Sequence, residues 1–425
     1  MPRPVTHPVS SRKSARPSLA ERYRHVSYRR HTHCRICTRR LPVPAIRLPD
    51  FPMTEIYVPA RQAQKLAVLD QGFCLCPRCG HGQLVNAIAP KVLYGETYFT
   101  RTSGTSATTA IDDFLKFVLP QLPARQLGGI LEVGCNDLYT LNRLADRAEA
   151  LCGIDPIWKN RQPPTANPKI KVIGEFFEAV DLAKLGLTPD VVICSHTLEH
   201  IDDPVALLSS LVATASPETL FFFQFPGLEP LVRDGRFDQL HHQHLNYFTL
   251  QSVVAALGRA GAELLSFAYN YNHWGALMIS FRKATTRSPR ANQRFLKRYR
   301  PVTTGEVRQR YQLFKKSAQA IDAELAVLLA DRKVYGFGAA LMLPLLAYHL
   351  PHLRNLDCII DDDPQKQGLY YINFPLQIRS SAAVGDLTQA TVAITAINSK
   401  QNIRAIARKL IQLNVRDIFL PTHVL

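Results

Sequence analysis

Gly128-Gly-Ile-Leu-Glu-Val-Gly-Cys-Asn-Asp137 decides the fold. Its first half is an apolar run of strand length, and Gly134 supplies a tight turn into a helix expected to begin near Leu141. A strand that turns at a glycine into a helix opens a doubly wound sheet, and ligands of such sheets sit at the C-terminal edge of the strands. The G-x-G-x-x-G spacing that brings a backbone against a pyrophosphate is missing, because Asn136 and Leu138 stand where glycines are needed. A nicotinamide dinucleotide is thereby disfavoured. Glu132 at the strand end, Gly134, Asn136 and Asp137 in the turn, and Asp155 after the next apolar run suit S-adenosylmethionine better. One carboxylate pairs with a methionyl ammonium, and a second accepts from both hydroxyls of a ribose.

The flanking sequence continues the alternation of strand and helix. Asp190-Val-Val-Ile-Cys-Ser-His-Thr-Leu-Glu-His200 reads as a buried parallel strand running into polar residues, with His196 joining the cofactor set. Ile201-Asp-Asp-Pro204 then leads into an amphipathic helix, and Thr219-Leu-Phe-Phe-Phe-Gln-Phe-Pro226 reads as a further strand. Residues 129–283 therefore form an α/β, Rossmann-like doubly wound core.

Five of the nine cysteines fall within residues 34–79, as Cys34-x-x-Cys37, Cys74 and Cys76-x-x-Cys79. A two-residue spacer lets both thiolates of a tight turn face one ion, and two such turns complete a tetrahedral zinc site. A redox pair needs only one copy. Four protein ligands leave no open position, so this zinc is structural.

The chain carries 51 Lys and Arg against 34 Asp and Glu, a formal charge of +17. Residues 1–50 hold twelve basic and two acidic side chains, or +10, so the remaining 375 residues keep +7. The excess is an N-terminal tail, whose first thirty residues are rich in Pro and Ser, lack periodicity and read as a disordered, solvated extension. An Arg-rich, acid-poor start shares features with transit peptides and nucleic-acid arms, but the modest charge of the body disfavours nucleic acid as a partner. With neither an apolar run of about 18 residues nor a secretory h-region, the expectation is a cytoplasmic protein outside the membrane.

In order, these motifs resemble the sugar-nucleotide C-methyltransferases of class I S-adenosylmethionine chemistry. The two cysteine pairs are similar to the family's N-terminal zinc-binding domain, Tyr94–Ser106 to its strand leading into the core, Glu132–Asp137 to its cofactor turn and Leu198–Pro204 to its post-strand motif. Phe237-Asp-Gln-Leu-His-His-Gln-His-Leu-Asn-Tyr-Phe248 resembles its catalytic segment, and Asp361–Gly368 a signature of its C-terminal domain. The resemblance implies transfer of a methyl group to a nucleotide-linked keto sugar. His244 is then the base that removes a proton alpha to the ketone, with His200, His241 and Tyr98 around the acceptor. Such a proton is weakly acidic, so the site needs a poised base and donors for the enolate oxygen. This chain departs from the pattern at Gln243 (glutamate in the family), His241 (tyrosine), Leu138 and Trp274 (both glycine). Without the glutamate, oxygen or nitrogen methylation becomes an alternative, since those acceptors already own a lone pair.

The expected organisation is a basic tail (1–30), a zinc-binding domain (31–100), the methyltransferase core (101–285), a helical linker (286–331) and a C-terminal Rossmann-like domain (332–425). The linker shows a helical apolar period from Val307 to Leu328, and a second glycine turn, Gly336-Phe-Gly338, follows. The resemblance assigns that last domain to scaffolding and substrate phosphates, with Lys366 at hand. A scaffold of degenerate methyltransferase fold that binds nucleic acid is the non-enzymatic alternative.

Overall fold

The computed structural model describes residues 27–54, 57–60, 68–93, 105–163, 165, 167–285, 292–372, 374–397 and 400–422. Its centre is a seven-stranded sheet: β1 (Leu127–Val133), β2 (Ala148–Ile154), β3 (Ile170–Ile173), β4 (Val191–Ser195), β5 (Leu220–Phe225), β6 (Ala262–Asn270) and β7 (Ala276–Lys283). The strand order is β6-β7-β5-β4-β1-β2-β3. Strands β1 to β5 are parallel, and the β6–β7 hairpin adds antiparallel strands at one edge. Both faces are covered, which is why the parallel strands read as unbroken apolar runs. Phe221 and Phe223 of β5 pack into the layer containing Leu207 and Leu211, while Phe222 between them enters the opposite layer with Phe114 and Leu141. The order reverses between β1 and β4, and that switch point is where a doubly wound sheet opens to a ligand.

The helix after β1 is Tyr139–Leu144, two residues earlier than expected. Leu138 caps it in the left-handed conformation (φ 66°), with its side chain fully buried in the core. The glycine position of the resemblance thus keeps a glycine-like backbone, and burial of an apolar side chain offsets a strain of about 1–2 kcal/mol. Trp274 (φ 53°) likewise keeps a left-handed backbone at a glycine position of the resemblance, and Asn136 (φ 42°) does so in the turn after β1.

The N-terminal module is built from Tyr28–Arg30 paired with Asn86–Ile88, and from a four-stranded sheet ordered Asn246–Tyr247, Gly82–Leu84, Gln71–Leu75, Ile46–Leu48. One strand of that sheet, Asn246–Tyr247, comes from the histidine-rich segment of the central domain. Asn246 is fully buried between the two parts. Its Oδ1 accepts from His81 Nε2 at 3.0 Å, and its Nδ2 donates to the Ile201 carbonyl at 2.7 Å. A second tie is Asp202, which meets Arg29, His31 and Arg35 of the module at 2.9–3.4 Å. Burial works against its charge, yet the His31 hydrogen bond and the two arginines hold the carboxyl down at about 2.

The C-terminal sheet runs Asp417–Phe419, Thr391–Ile394, Val334–Phe337, Ile359–Ile360, Phe374–Arg379, Tyr370–Tyr371, Tyr57–Val58. Its first five strands are parallel, and the last is donated antiparallel by the N-terminal part of the chain. The 28-residue helix Thr304–Asp331 bridges domains: Val307 and Tyr311 pack with Phe237 and Leu231, whereas Ala318, Ile321 and Leu325 pack with Val334 and Ile359. Tyr94–Gly104, and with it the strand expected there, lies outside the described residues, as do residues 1–26 of the tail; Thr105 already belongs to the helix Thr105–Val118. Among the described residues, no helix is long and apolar enough to cross a membrane.

Asn246→Ala would orphan the buried His81 nitrogen and the Ile201 carbonyl. It should destabilise the protein by about 1–3 kcal/mol, read as a lower midpoint in urea with the bound metal retained at low denaturant.

Candidate functional site

The two cysteine turns are built alike. The Thr38 and Gly80 amides donate to the Cys34 and Cys76 carbonyls at 2.9 Å, and the Cys34 and Cys76 amides donate to the Arg39 and His81 carbonyls at 2.8 Å. Both turns exit through positive φ, at Thr38 (59°) and Gly80 (68°). The four sulfurs converge: Cys34 and Cys79 Sγ lie 3.6 Å apart, Cys37 and Cys76 Sγ 3.4 Å, and all four are within 4.8 Å of one another. Cys74, buried on the neighbouring strand, instead points its thiol at the Pro42 carbonyl and is pushed up to about 11 by burial. Crowded thiolates repel unless a cation lies among them, and four sulfurs in a closed cage suit structural zinc.

A cavity of about 1240 Å³ opens at the switch point of the central sheet. At one end lie Glu132, Gly134, Asn136 and Asp155. Gly134 (φ 78°) crosses so close to the loop after β4 that a Cβ would sit 1.9 Å from Thr197 Oγ1. Asp155 accepts from the Asn136 amide at 2.9 Å and from the Ile157 amide at 3.0 Å, which stations its carboxylate at the cavity wall. Glu132 is buried and its Oε2 has no hydrogen-bond partner. Burial, with the charges of Asp155 and Asp137 nearby, pushes its carboxyl up to about 8. A buried carboxyl with one oxygen unpaired fits an incoming ammonium, the group that S-adenosylmethionine presents. Asp137, half-buried in the turn, is not among the residues lining the cavity.

The other end is lined by histidines. His196, His200, His241, His244 and His273 all face the cavity, and His196 keeps a left-handed backbone (φ 52°). The rings of His241 and His244 are 3.8 Å apart between centroids, those of His200 and His244 4.9 Å, and those of His196 and His273 4.3 Å. Glu199, fully buried, takes the His196 Nδ1 at 3.0 Å and lies 4.0 Å from His244 Nε2. Burial lowers these imidazoles, His196 to about 4 and His241 to about 3, and raises Glu199 to about 7. His244 falls well below its usual range through burial and the surrounding imidazoles. The cluster is therefore one of neutral imidazoles at pH 7.

Gln243 does not face His244. Its Nε2 donates to the Thr54 carbonyl at 3.1 Å, which orients the amide so that Oε1 accepts from His241 Nδ1 at 3.1 Å. His242 turns away, donating through Nε2 to the Phe51 carbonyl at 3.0 Å. Glu199 and His273 were missing from the sequence-based site; the first stands beside His200 in the post-strand motif and the second beside Trp274. Tyr98 lies outside the described residues.

Residues 105–266 match the family model described as "Methyltransferase domain", and residues 34–94 the one described as "Putative zinc binding domain". The central fold is a methyltransferase domain. The C-methyltransferase NovU of Streptomyces niveus is 23% identical over 208 residues, which is 48% of this chain and 49% of NovU. The chain thus spans about half the length of that relative. Among solved structures, the N-methyltransferase NodS of Bradyrhizobium japonicum WM9, in complex with S-adenosyl-L-homocysteine, aligns with a TM-score of 0.32 at 11% identity, over 43% of this chain and 89% of NodS. Magnesium protoporphyrin IX methyltransferase of Synechocystis PCC 6803 aligns at 0.31 and 18% identity, over 42% of this chain and 83% of that enzyme.

Two outcomes test the site. Cys76→Ser, or a strong chelator, should release the zinc and expose the amides of residues 71–88 to hydrogen exchange, because the thiolate cage fastens the two turns beside them. Below pH 8 Glu132 must lose a proton before it can pair with the cofactor ammonium. Affinity for S-adenosylmethionine should therefore strengthen about tenfold per unit as pH rises from 6 to 8, and Glu132→Gln should remove that dependence, as titration calorimetry would record.

Proposed function

We propose that this chain transfers the methyl group of S-adenosylmethionine to a small-molecule acceptor, and that the acceptor is a nucleotide-linked keto sugar. The observation that carries the reading is one continuous cavity, which runs from Glu132 and Asp155 past the histidines to Gly338 and Asp361 of the C-terminal domain. Single ligands occupy pockets of about 300–1,000 Å³, so a volume of about 1240 Å³ accommodates a cofactor and an extended acceptor together. When bound, S-adenosylmethionine supplies an electrophilic methyl on a sulfonium.

The chain's own residues do the rest. Glu132 and Asp155 orient the cofactor by its ammonium and ribose. The acceptor's reacting atom lies against the His241 and His244 pair, where a neutral imidazole takes the proton; His244 is the candidate by resemblance. Proximity and alignment of cofactor and acceptor in the cavity supply most of the acceleration. Asp361 follows the second strand of the C-terminal unit and accepts from the Ala339 amide at 2.7 Å. An acidic residue at that place in a doubly wound fold serves a ribose, which supports a nucleotide handle on the acceptor. Lys366 is paired with Asp361 at 3.2 Å and helps hold that turn.

Methylation of oxygen or nitrogen is the second reading. It is favoured by Gln243, which leaves no carboxylate at the family's glutamate position and is bound to Thr54 and His241 instead.

His244→Ala should reduce turnover by at least about 100-fold with S-adenosylmethionine affinity unchanged. Mass spectrometry of a panel of nucleotide sugars with methyl-labelled donor is the assay. Unchanged turnover would remove His244 from the reaction, and tight cofactor binding without any labelled sugar would reject the acceptor class.

A further inference from the structure

The +7 carried by the chain beyond its first fifty residues disfavours a nucleic-acid partner only as an average, and it is not evenly spread. Residues 292–316 hold eight Lys and Arg side chains and a single acid, Glu306, which is the whole of that +7, so the other 350 residues balance to zero. The charge is held on folded structure. It spans the turn Asn292–Leu296 and the first turns of the helix Thr304–Asp331. Both are fastened by apolar contacts, since Phe295, Leu296 and Tyr299 pack on the methyltransferase core and Val307 and Tyr311 pack with Leu231 and Phe237. Seven of the eight cations are exposed, among them Arg294, Arg298, Arg300, Arg308 and Arg310. Among the described residues, the one carboxylate within 4 Å of any of the eight is that of Glu306, 3.9 Å from Arg300. Like charges fixed side by side repel, and a polyanion laid over them relieves the repulsion. None of the eight lines the reaction cavity.

Arg300 and Arg310 share a shallow groove of about 470 Å³ with Thr303, Glu306, Gln309 and Leu313. Guanidinium forks with hydroxyl and amide donors beside them match the oxygens of phosphodiesters, and a groove receives a narrow extended chain better than a plane of headgroups. Leu313 is the one large apolar side chain that residues 292–316 expose, too little for a surface that enters lipid. We infer that residues 292–316 form a docking surface for the sugar-phosphate backbone of nucleic acid, separate from the methyl-transfer cavity. Contact is to phosphates, so binding is indifferent to base sequence and weakens steeply with salt. Methyl transfer and docking then use different faces of one chain.

The test is fluorescence anisotropy of the full chain with labelled DNA duplexes of equal length and unrelated sequence, titrated over a series of potassium chloride concentrations. Equal affinity for the two duplexes is expected. Arg298→Ala/Arg300→Ala/Arg310→Ala should weaken binding at least about tenfold and reduce the slope of log affinity against log salt by about 2–3, one phosphate contact being lost per arginine. No binding to either duplex overturns the inference, and so does an unchanged slope in the triple variant, which would place the contact in the N-terminal tail. Tight binding to phosphatidylserine vesicles with none to the duplexes also overturns it, because the surface would then be a membrane one. Hydrogen exchange of the wild-type chain gives an answer independent of the variant: duplex should protect the amides of residues 292–316, and a lack of protection there refutes the site. S-adenosylmethionine affinity, expected to be equal in wild type and variant, reports on the methyltransferase reading separately.

Discussion

A single buried amide, Asn246, holds the register between the zinc module and the reaction cavity. It lies in a two-residue strand that belongs by sequence to the central domain and by hydrogen bonding to the module. Its side chain bonds His81, which follows the second cysteine turn, and the carbonyl of Ile201, in the middle of the post-strand motif. The adjoining Tyr247 is fully buried and receives the His241 amide at 3.2 Å, so the histidine turn is fastened from the same two residues. The histidine turn is thereby tied to the module that carries the four cysteines.

The cavity is built under strain. Asn136, His196 and Trp274 line it with left-handed backbones, and Leu138 adjoins it in the same conformation. Non-glycine residues in that region cost of order 1–3 kcal/mol each. Buried His241 and His244 and a fully buried Glu199 add desolvation that their few hydrogen bonds offset only in part. The two packed sheets and the 28-residue helix supply the stability that tolerates this, and the strain allows close approach of chain to ligand at the switch point.

Much of this was legible in the chain itself. The parallel strands announced themselves as apolar runs because both faces of the sheet are covered, and Phe221–Phe223 serve opposite layers in succession. The cysteine pairs were equally plain, since the two-residue spacing is a local requirement of a metal-binding turn. The post-strand motif could be found but not parsed. In the fold Glu199 and His200 face the cavity, Asp202 receives the zinc module, and Asp203 caps the following helix by accepting from the Ala206 amide at 2.9 Å. Four neighbouring residues have three duties, and nothing in their order separates them.

Sequence alone determined the sheet, the turn after its first strand and the four thiolate ligands, because each follows from local periodicity or spacing, whereas the histidines were singled out by the resemblance. Tertiary structure decided that Tyr57–Val58 completes a sheet whose other strands begin only at Val334, that Asn246–Tyr247 extends the zinc module, and that Gln243 serves His241 while Glu199 faces His244. Two-residue strands have too few positions to show a period, and a hydrogen bond between distant segments leaves no mark in either. Their partners are set by packing, which only the folded chain expresses.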